Sequence, residues 1–314
     1  MTITQLKYVL AVAEYKNFTT ASEHCFVTQP TLSMQIHKLE EELDIQIFNR
    51  NKKPIEVTDV GIKIVTQAKT IVNESSRITD IVQQEKGYIG GEFKVGIIPT
   101  IMPSLLPLFL KNFNKKYPEV KLVINELTTA EIVQKLKDGH LDAAIAATPL
   151  NEESLKESPI YYEPFIGLLH PKHRLFDQKY LKPEDLSMDD LLLLEDGHCF
   201  KESVLNICSS LVSQNPKKFA LQSGSFDTLI KLTKEGLGMT LLPYLHSIDL
   251  KEEDQKLIRE FEKPHPAREV SLIYHKSGLK LQIINALKEE ISGIIRGLIA
   301  FNDVSIISPL KLKN

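Results

Sequence analysis

The chain reads as an α/β protein preceded by a small all-α domain, and three observations predict it. The apolar residues repeat with a helical period through about the first 86 positions; after "GYIGG" the pattern becomes strand, helix, strand; and a second set of the same kind follows, with a strand-like segment, "REVSLIYH", returning late. Two such units joined by two crossings imply two lobes with a cleft between them, where ligands bind at strand carboxyl ends.

Residues 1–58 read as three short helices and a hairpin. "ITQLKYVLAVAEY" sets Leu6, Val9, Leu10 and Ala13 on one face, and "FTTASEHCFV" follows as a second helix. The third opens at "TQPTLS", where Thr28 is a good N-cap and Pro30 suits a first turn in which its missing N–H has no partner. Its apolar face is Leu32, Ile36, Leu39 and Leu43. The opposite face, with Pro30, Thr31, Ser33, Met34, His37 and Lys38, is small, mostly polar and shaped to enter a DNA major groove. "IFNRNKKPIEVT" alternates like a strand pair with a basic tip of Arg50, Lys52 and Lys53, suited to phosphate contact as a wing. Periodicity alone equally fits a surface helix of a small bundle, and the acidic "EEELD" would repel phosphate if it faced DNA.

Residues 59–88 form a linker, helical over 59–86, with Ile64, Ala68, Ile71, Ser75, Ile78 and Val82 spaced 4, 3, 4, 3, 4. That short seam predicts pairing with a copy of itself, against the alternative of packing on its own N-terminal domain. Beyond it, "FKVGII" is a strand, "PSLLPLFLKNFNKKYP" a helix, "VKLVINEL" a strand, "AEIVQKLKDG" a helix with a glycine stop and "LDAAIAA" a buried strand, giving a mainly parallel sheet. The second set is "FIGLLH", "LLLLED", "KFALQS", the helix "FDTLIKLTKEGLG" and the strand "MTLLP", and a final helix covers 278–300. The expected division is lobe I over 89–162 and 268–302, lobe II over 163–267, and a C-terminal tail over 303–314 ending in a frayed "KLKN".

Composition narrows the function classes. With 42% hydrophobic and 25% charged residues this is an ordinary soluble mix, and no apolar run approaches the roughly 18 residues that span a bilayer. The amphipathic N-terminus, interrupted by charge, is no signal peptide, so the expected location is cytoplasmic, without membrane contact. A formal net charge of −3 opposes nucleic-acid binding by the whole chain, but local placement of charge says more. No G-x-G-x-x-G, Walker loop, H-E-x-x-H or G-x-S-x-G occurs, so no cofactor is expected, and the paired histidines of "HPKH" lack the acidic partner a metal site needs. The three cysteines, Cys25, Cys199 and Cys208, fit neither a secreted disulfide framework nor a zinc site. Cys25 reads as a core residue. Taken alone, Cys199 and Cys208 read as structural residues rather than reactive ones.

The segment "FTTASEHCFVTQPTLSMQIHKLEEELDIQIFNR" with "VTDVG" resembles the LysR-type transcriptional regulators over about 60 residues, and the order of parts matches over nearly the whole chain. The resemblance implies a winged helix-turn-helix over 1–58, a dimerisation helix over 59–88 and a two-lobed, periplasmic-binding-protein-like regulatory domain over 89–302. It implies groove contacts from Gln29, Pro30, Thr31, Ser33 and Lys38. Partners would be double-stranded promoter DNA, RNA polymerase and further copies of the chain, as homodimer and homotetramer. Within the family, "LEDGHCF" followed nine residues on by a second cysteine, with "GIIPT" and "ELTT", is similar to the regulators that sense hydrogen peroxide. This implies that Cys199 reacts with peroxide and then bonds Cys208, and that thiol reductants such as glutaredoxin or thioredoxin reverse the bond. In one departure, related sensors carry a histidine just before the phenylalanine matched by Phe219, where this chain has Lys217 and Lys218.

If "FKESVLNICSSLV" is a helix, Cys199 sits at its N-terminus, where free N–H groups favour a thiolate, and a drop of about two units would make thiolate the major species. His198 and a hydroxyl from Thr100 or Thr129 would then position the peroxide, although as sequence features alone both threonines read first as helix N-caps. Nine helical residues separate the two Cα atoms by roughly 13 Å on opposite faces, whereas a disulfide needs less than about 7 Å. Closure therefore requires the helix to unwind, the two-state element of a switch. The expectation is a transcriptional activator of oxidative-stress defence, not an enzyme. Its rivals are a LysR-type regulator for a metabolite in the interlobe cleft with structural cysteines, a thiol peroxidase, and a solute-binding protein.

Overall fold

The computed structural model describes residues 1–85, 89–195, 197, 199–208, 221, 223–278, 280–300 and 303–310, and the side chains of Arg77, Asp80 and Gln83–Glu85 are outside the description. The chain divides into two compact units, Met1–Tyr88 and Ile89–Asn314.

In the first unit each helix begins where a side chain can satisfy its free N–H groups. Thr2 and Gln5 form a capping box on α1 (Ile3–Tyr15). Asn17 accepts from Thr19 and Thr20 at α2 (Phe18–His24), and Thr28 accepts from Thr31 at α3 (Gln29–Leu43). A two-residue pairing of β1 (Phe48–Asn49) with β2 (Glu56–Val57) makes the hairpin. Leu6, Val9, Leu32, Ile36 and Leu39 close the core, as their spacing predicts, while Leu43 and Cys25 are half-buried against it. The long helix α4 (Asp59–Glu85) divides the predicted seam in two. Ala68 is buried in the unit's own core with Ile64 and Ile71 against it, so this half packs on its own domain. Ile78 and Val82 stay exposed, at 66% and 48%, so that end of the seam is not covered by its own domain.

The second unit opens with β3 (Gly91–Ile97), α5 (Met102–Lys116), β4 (Val120–Glu126), α6 (Thr129–Lys137), β5 (Ala143–Thr148) and the long β6 (Leu155–Leu168). After α7 (Cys199–Ile207) come α8 (Phe226–Lys234), β7 (Thr240–Pro243), α9 (Tyr244–Ile248), α10 (Glu252–Gln255), β8 (Ile258–Glu260), β9 (His265–His275), α11 (Leu281–Leu298) and β10 (Val304–Ile306). Strand β3 pairs in parallel with β4 and β5, but β9 runs antiparallel to both β5 and β6, and β6 antiparallel to β7 and β8. The sheet is therefore mixed rather than mainly parallel, because the strands that join the lobes return in the opposite sense. Two hydrophobic cores result, one from Phe93, Ile97, Phe109, Ile145, Leu272 and Leu287 and their neighbours, the other from Phe165, Phe200, Leu229, Met239 and Leu241 and theirs.

Two expectations change here. "LLLLED" contributes only an isolated bridge from Leu191 to Met239, and most of "KFALQS" lies outside the described residues. Residues 303–310 are docked rather than a loose tail: β10 pairs in parallel with β9, Ile307 packs on the second core, and the Asn206 amide donates to the carbonyls of Ser308 (2.9 Å) and Leu310 (2.8 Å). The final "KLKN" lies outside the described residues. Among the described residues no helix is long and apolar enough to cross a membrane.

Candidate functional site

On the first unit, α3 turns Leu32, Ile36 and Leu39 inward and leaves Gln29, Pro30, Thr31 and Lys38 exposed, with Ser33 half-buried. The acidic run does not lie free beneath them. Glu40 is buried, accepts from the N–H groups of Ile47 (2.8 Å) and Phe48 (3.2 Å), and pairs with Arg50 at 2.8 Å. Glu42 pairs with the N-terminal ammonium, and Glu41 lies 3.7 Å from His37. This removes much of the expected repulsion, because a carboxylate spent on buried N–H groups and a guanidinium projects little charge outward. Arg50 also donates to Ser33 Oγ at 3.1 Å and lies over the Phe18 ring. It braces the hairpin on α3 and is not the free wing cation the sequence suggests. Lys52 is exposed but paired with Glu56 at 2.6 Å, and Lys53 is exposed at the tip.

In the second unit Cys199 is the first residue of α7, half-buried and packed against the first core, while Cys208 is buried in the second. The two sulfurs thus belong to different cores, as opposite faces of a short helix require. The helix is held at its end by the bond from Cys208 N–H to the Val204 carbonyl (3.3 Å). His198, Lys217, Lys218 and Phe219 lie outside the described residues.

The group that organises the site was not singled out from sequence. Arg268, on β9 and 1% exposed, donates through Nε and Nη2 to Glu163 Oε2 (2.9 and 2.7 Å) on β6. The two residues are direct cross-strand partners. The same guanidinium donates to the Thr100 hydroxyl and carbonyl, each at 3.0 Å, and its carbon lies 5.3 Å from the Phe200 ring centre. The signal available was an arginine and a glutamate inside otherwise apolar strands, "YYEPF" and "PAREVSLIY", since buried charges of opposite sign occur as pairs. Neither threonine is an N-cap: Thr128 caps α6, and α5 has Ile101 at its cap. Because Thr100 Oγ1 accepts from Arg268, its own proton is left to donate. The Thr129 hydroxyl is buried without a well-formed hydrogen bond, as is that of Tyr161.

The electrostatics reverse one expectation. Burial pushes the Cys199 thiol above its ordinary range, and the opposing influences of Arg268, the Thr129 hydroxyl and the N–H groups of Phe200 and Cys199 do not outweigh it. The helix N-terminus acts in the predicted direction, but desolvation at the junction of two lobes is larger. Cys208 is pushed up to about 11 by burial. In the reduced fold both thiols are therefore held mostly in the protonated form at neutral pH. The arrangement offers a thiol beside a buried cation, one hydroxyl free to donate and a second beside the sulfur, a constellation that can hold a small polar molecule and stabilise charge on a departing oxygen.

The pattern described as "Bacterial regulatory helix-turn-helix protein, lysR family" matches residues 3–62, and "LysR substrate binding domain" matches residues 86–292. The hydrogen peroxide-inducible genes activator of Pectobacterium carotovorum is 30% identical over 302 residues, covering 95% of this chain and 99% of that protein. Full-length OxyR of Pseudomonas aeruginosa superposes with a TM-score of 0.76 at 33% identity, over 93% of this chain and 98% of that one. A hydrogen peroxide-bound cysteine mutant of OxyR from Corynebacterium glutamicum gives 0.62 at 28% identity, over 96% and 94%.

Proposed function

The chain belongs to the LysR family of bacterial regulatory helix-turn-helix proteins, and from that premise we propose that it is an OxyR-like activator of oxidative-stress genes that senses hydrogen peroxide through a reversible Cys199–Cys208 disulfide. One observation carries the reading: Cys199 sits beside Arg268 and Thr129 against one core, while its partner is held in the other core at the far end of the same short helix. The Cys199 sulfur attacks one peroxide oxygen and the O–O bond breaks. The thiol proton ends on the leaving hydroxide, giving sulfenic acid and water, with Thr100 and Thr129 donating and Arg268 stabilising the charge that develops. The Cys208 sulfur then displaces water from the sulfenic acid, and the disulfide forms. A dithiol reductant such as glutaredoxin or thioredoxin returns both thiols by exchange. The exposed face of α3, with Gln29, Pro30, Thr31, Ser33 and Lys38, reads promoter DNA in the cytoplasm, Lys52 and Lys53 meet phosphate, and the protein works as a homotetramer with RNA polymerase.

A second reading has an observation in its favour. A thiol whose pKa is raised by its surroundings is a poor nucleophile at neutral pH, which suits a regulator that binds a metabolite in the interlobe cleft and keeps its cysteines structural. Differential alkylation and peptide mass after one equivalent of hydrogen peroxide separate the two: a Cys199–Cys208 link in seconds supports the sensor, and two free thiols put the metabolite regulator ahead. The rate also has an expected pH dependence. With the folded-state pKa raised, the thiolate fraction grows about tenfold per pH unit below that value, so oxidation keeps accelerating from about pH 6 through about pH 9. A plateau already reached near neutrality would show a thiol whose pKa is depressed instead.

A further inference from the structure

Phe26, in the turn between α2 and α3, is 95% exposed and holds a left-handed backbone, φ 55. The turn is a Schellman motif: Val27 N–H donates to the Ser22 carbonyl and Phe26 N–H to that of Glu23, both at 3.1 Å, with Cys25 as the C-cap. The residue after the cap in this motif is ordinarily glycine or asparagine, because a Cβ there meets the following carbonyl. Phenylalanine is therefore unfavourable twice over, in backbone conformation and in the exposure of an aromatic ring, and neither serves the fold: it is the neighbouring Val27 that packs on the core.

What the position has is an address. Phe26 stands two residues ahead of Thr28, the N-cap of α3, and Met34, 51% exposed, shares a helical row with Pro30 and Lys38 on the outward face. We propose that Phe26 is a base-reading residue whose ring packs on the 5-methyl group of a thymine in the major groove, with Met34 extending the apolar contact. The inference rests on the reading of α3 as the DNA-facing helix. A phenyl ring has no hydrogen bond to offer a phosphate, and the thymine methyl is the one apolar group on a major-groove edge. The flanking polar residues of α3 and the exposed Lys38 and Lys53 favour DNA over a second protein chain as the occupant.

The test selects binding sites for the full chain from randomised duplexes, then replaces each thymine of a selected site by deoxyuridine, which removes only the methyl. Wild type is expected to lose about fourfold in affinity at one or two thymines. The Phe26→Asn variant is expected to bind about tenfold more weakly, to be indifferent to uracil at those thymines, and to respond as wild type at any others. Its melting temperature is expected to be no lower than that of wild type, because asparagine tolerates the left-handed backbone, so weaker binding is not a folding defect. A uracil scan of the variant that superimposes on that of wild type overturns the proposal. The same unchanged scan with an altered sedimentation rate assigns the ring to a contact between copies, and also overturns it. Failure of the full chain to select any sequence is a different result, and it removes the DNA reading of α3 itself.

Discussion

In the Cys208→Ser variant, oxidation is expected to stop at a sulfenic acid on Cys199 with α7 still folded, whereas Cys199→Ser is expected to leave both positions unreacted. Only the wild-type chain should lose the helix. The reason is distance: the ends of α7 stand roughly 13 Å apart, and a disulfide draws their Cα atoms to within about 7 Å. Closing it must break the bond from Cys208 N–H to Val204 and lift Cys208 from its apolar bed. It also displaces Asn206, whose amide holds the carbonyls of Ser308 and Leu310, so the segment after β10 should loosen with the helix. Hydrogen exchange on reduced and peroxide-treated protein reads both regions at once. Amides near 203–208 and 307–310 should lose about two orders of magnitude of protection in oxidised wild type, equivalent to about 3 kcal/mol of local stability, and little in the serine variants. Linked cysteines with α7 still protected would mean that the bond forms without unfolding and that the spacing is not the basis of a switch.

The elements that sequence could locate are those whose cause is local. The third helix of the first unit follows from a 4, 3, 4 run of apolar residues and a threonine cap, and the structure has it at Gln29–Leu43 with Thr28 accepting from Thr31. The opposite placement of Cys199 and Cys208 follows from 100° per residue in the same way. Periodicity fails where a partner distant in sequence decides. Whether Arg50 meets phosphate depends on Glu40, ten residues away on another element, and the 4, 3 seam of α4 could not show which half its own domain would cover. The short β10 has three residues and no period to read; it exists because β9 offers it an edge. The sign of the Cys199 shift likewise depends on what the fold brings to the sulfur. The helix N-terminus is visible in sequence, while the burial that outweighs it comes from two lobes closing on the sulfur.

Arg268 is where fold and chemistry share one side chain, and they can be pulled apart. Arg268→Met leaves the Glu163 carboxylate buried without its cation, with the N–H of Leu245 (2.9 Å) the one remaining donor to it among the described residues, and frees both oxygens of Thr100. Removing one partner of a buried pair costs about 3–5 kcal/mol, which in a unit of this size lowers the melting temperature by roughly 6–20 °C. Pairing the change with Glu163→Leu is expected to restore stability to within about 1–2 kcal/mol of wild type, because the uncompensated charge goes with it and apolar side chains can fill the volume. Reactivity should not return with the fold. The guanidinium is the largest influence pulling the Cys199 pKa down against burial, so the double variant should react more slowly with peroxide than wild type at every pH below the thiol's pKa. Urea midpoints and stopped-flow oxidation of the two variants measure the two effects separately. If stability and rate recover together, Arg268 serves only to neutralise Glu163; if stability alone recovers, the cation is there for the sulfur.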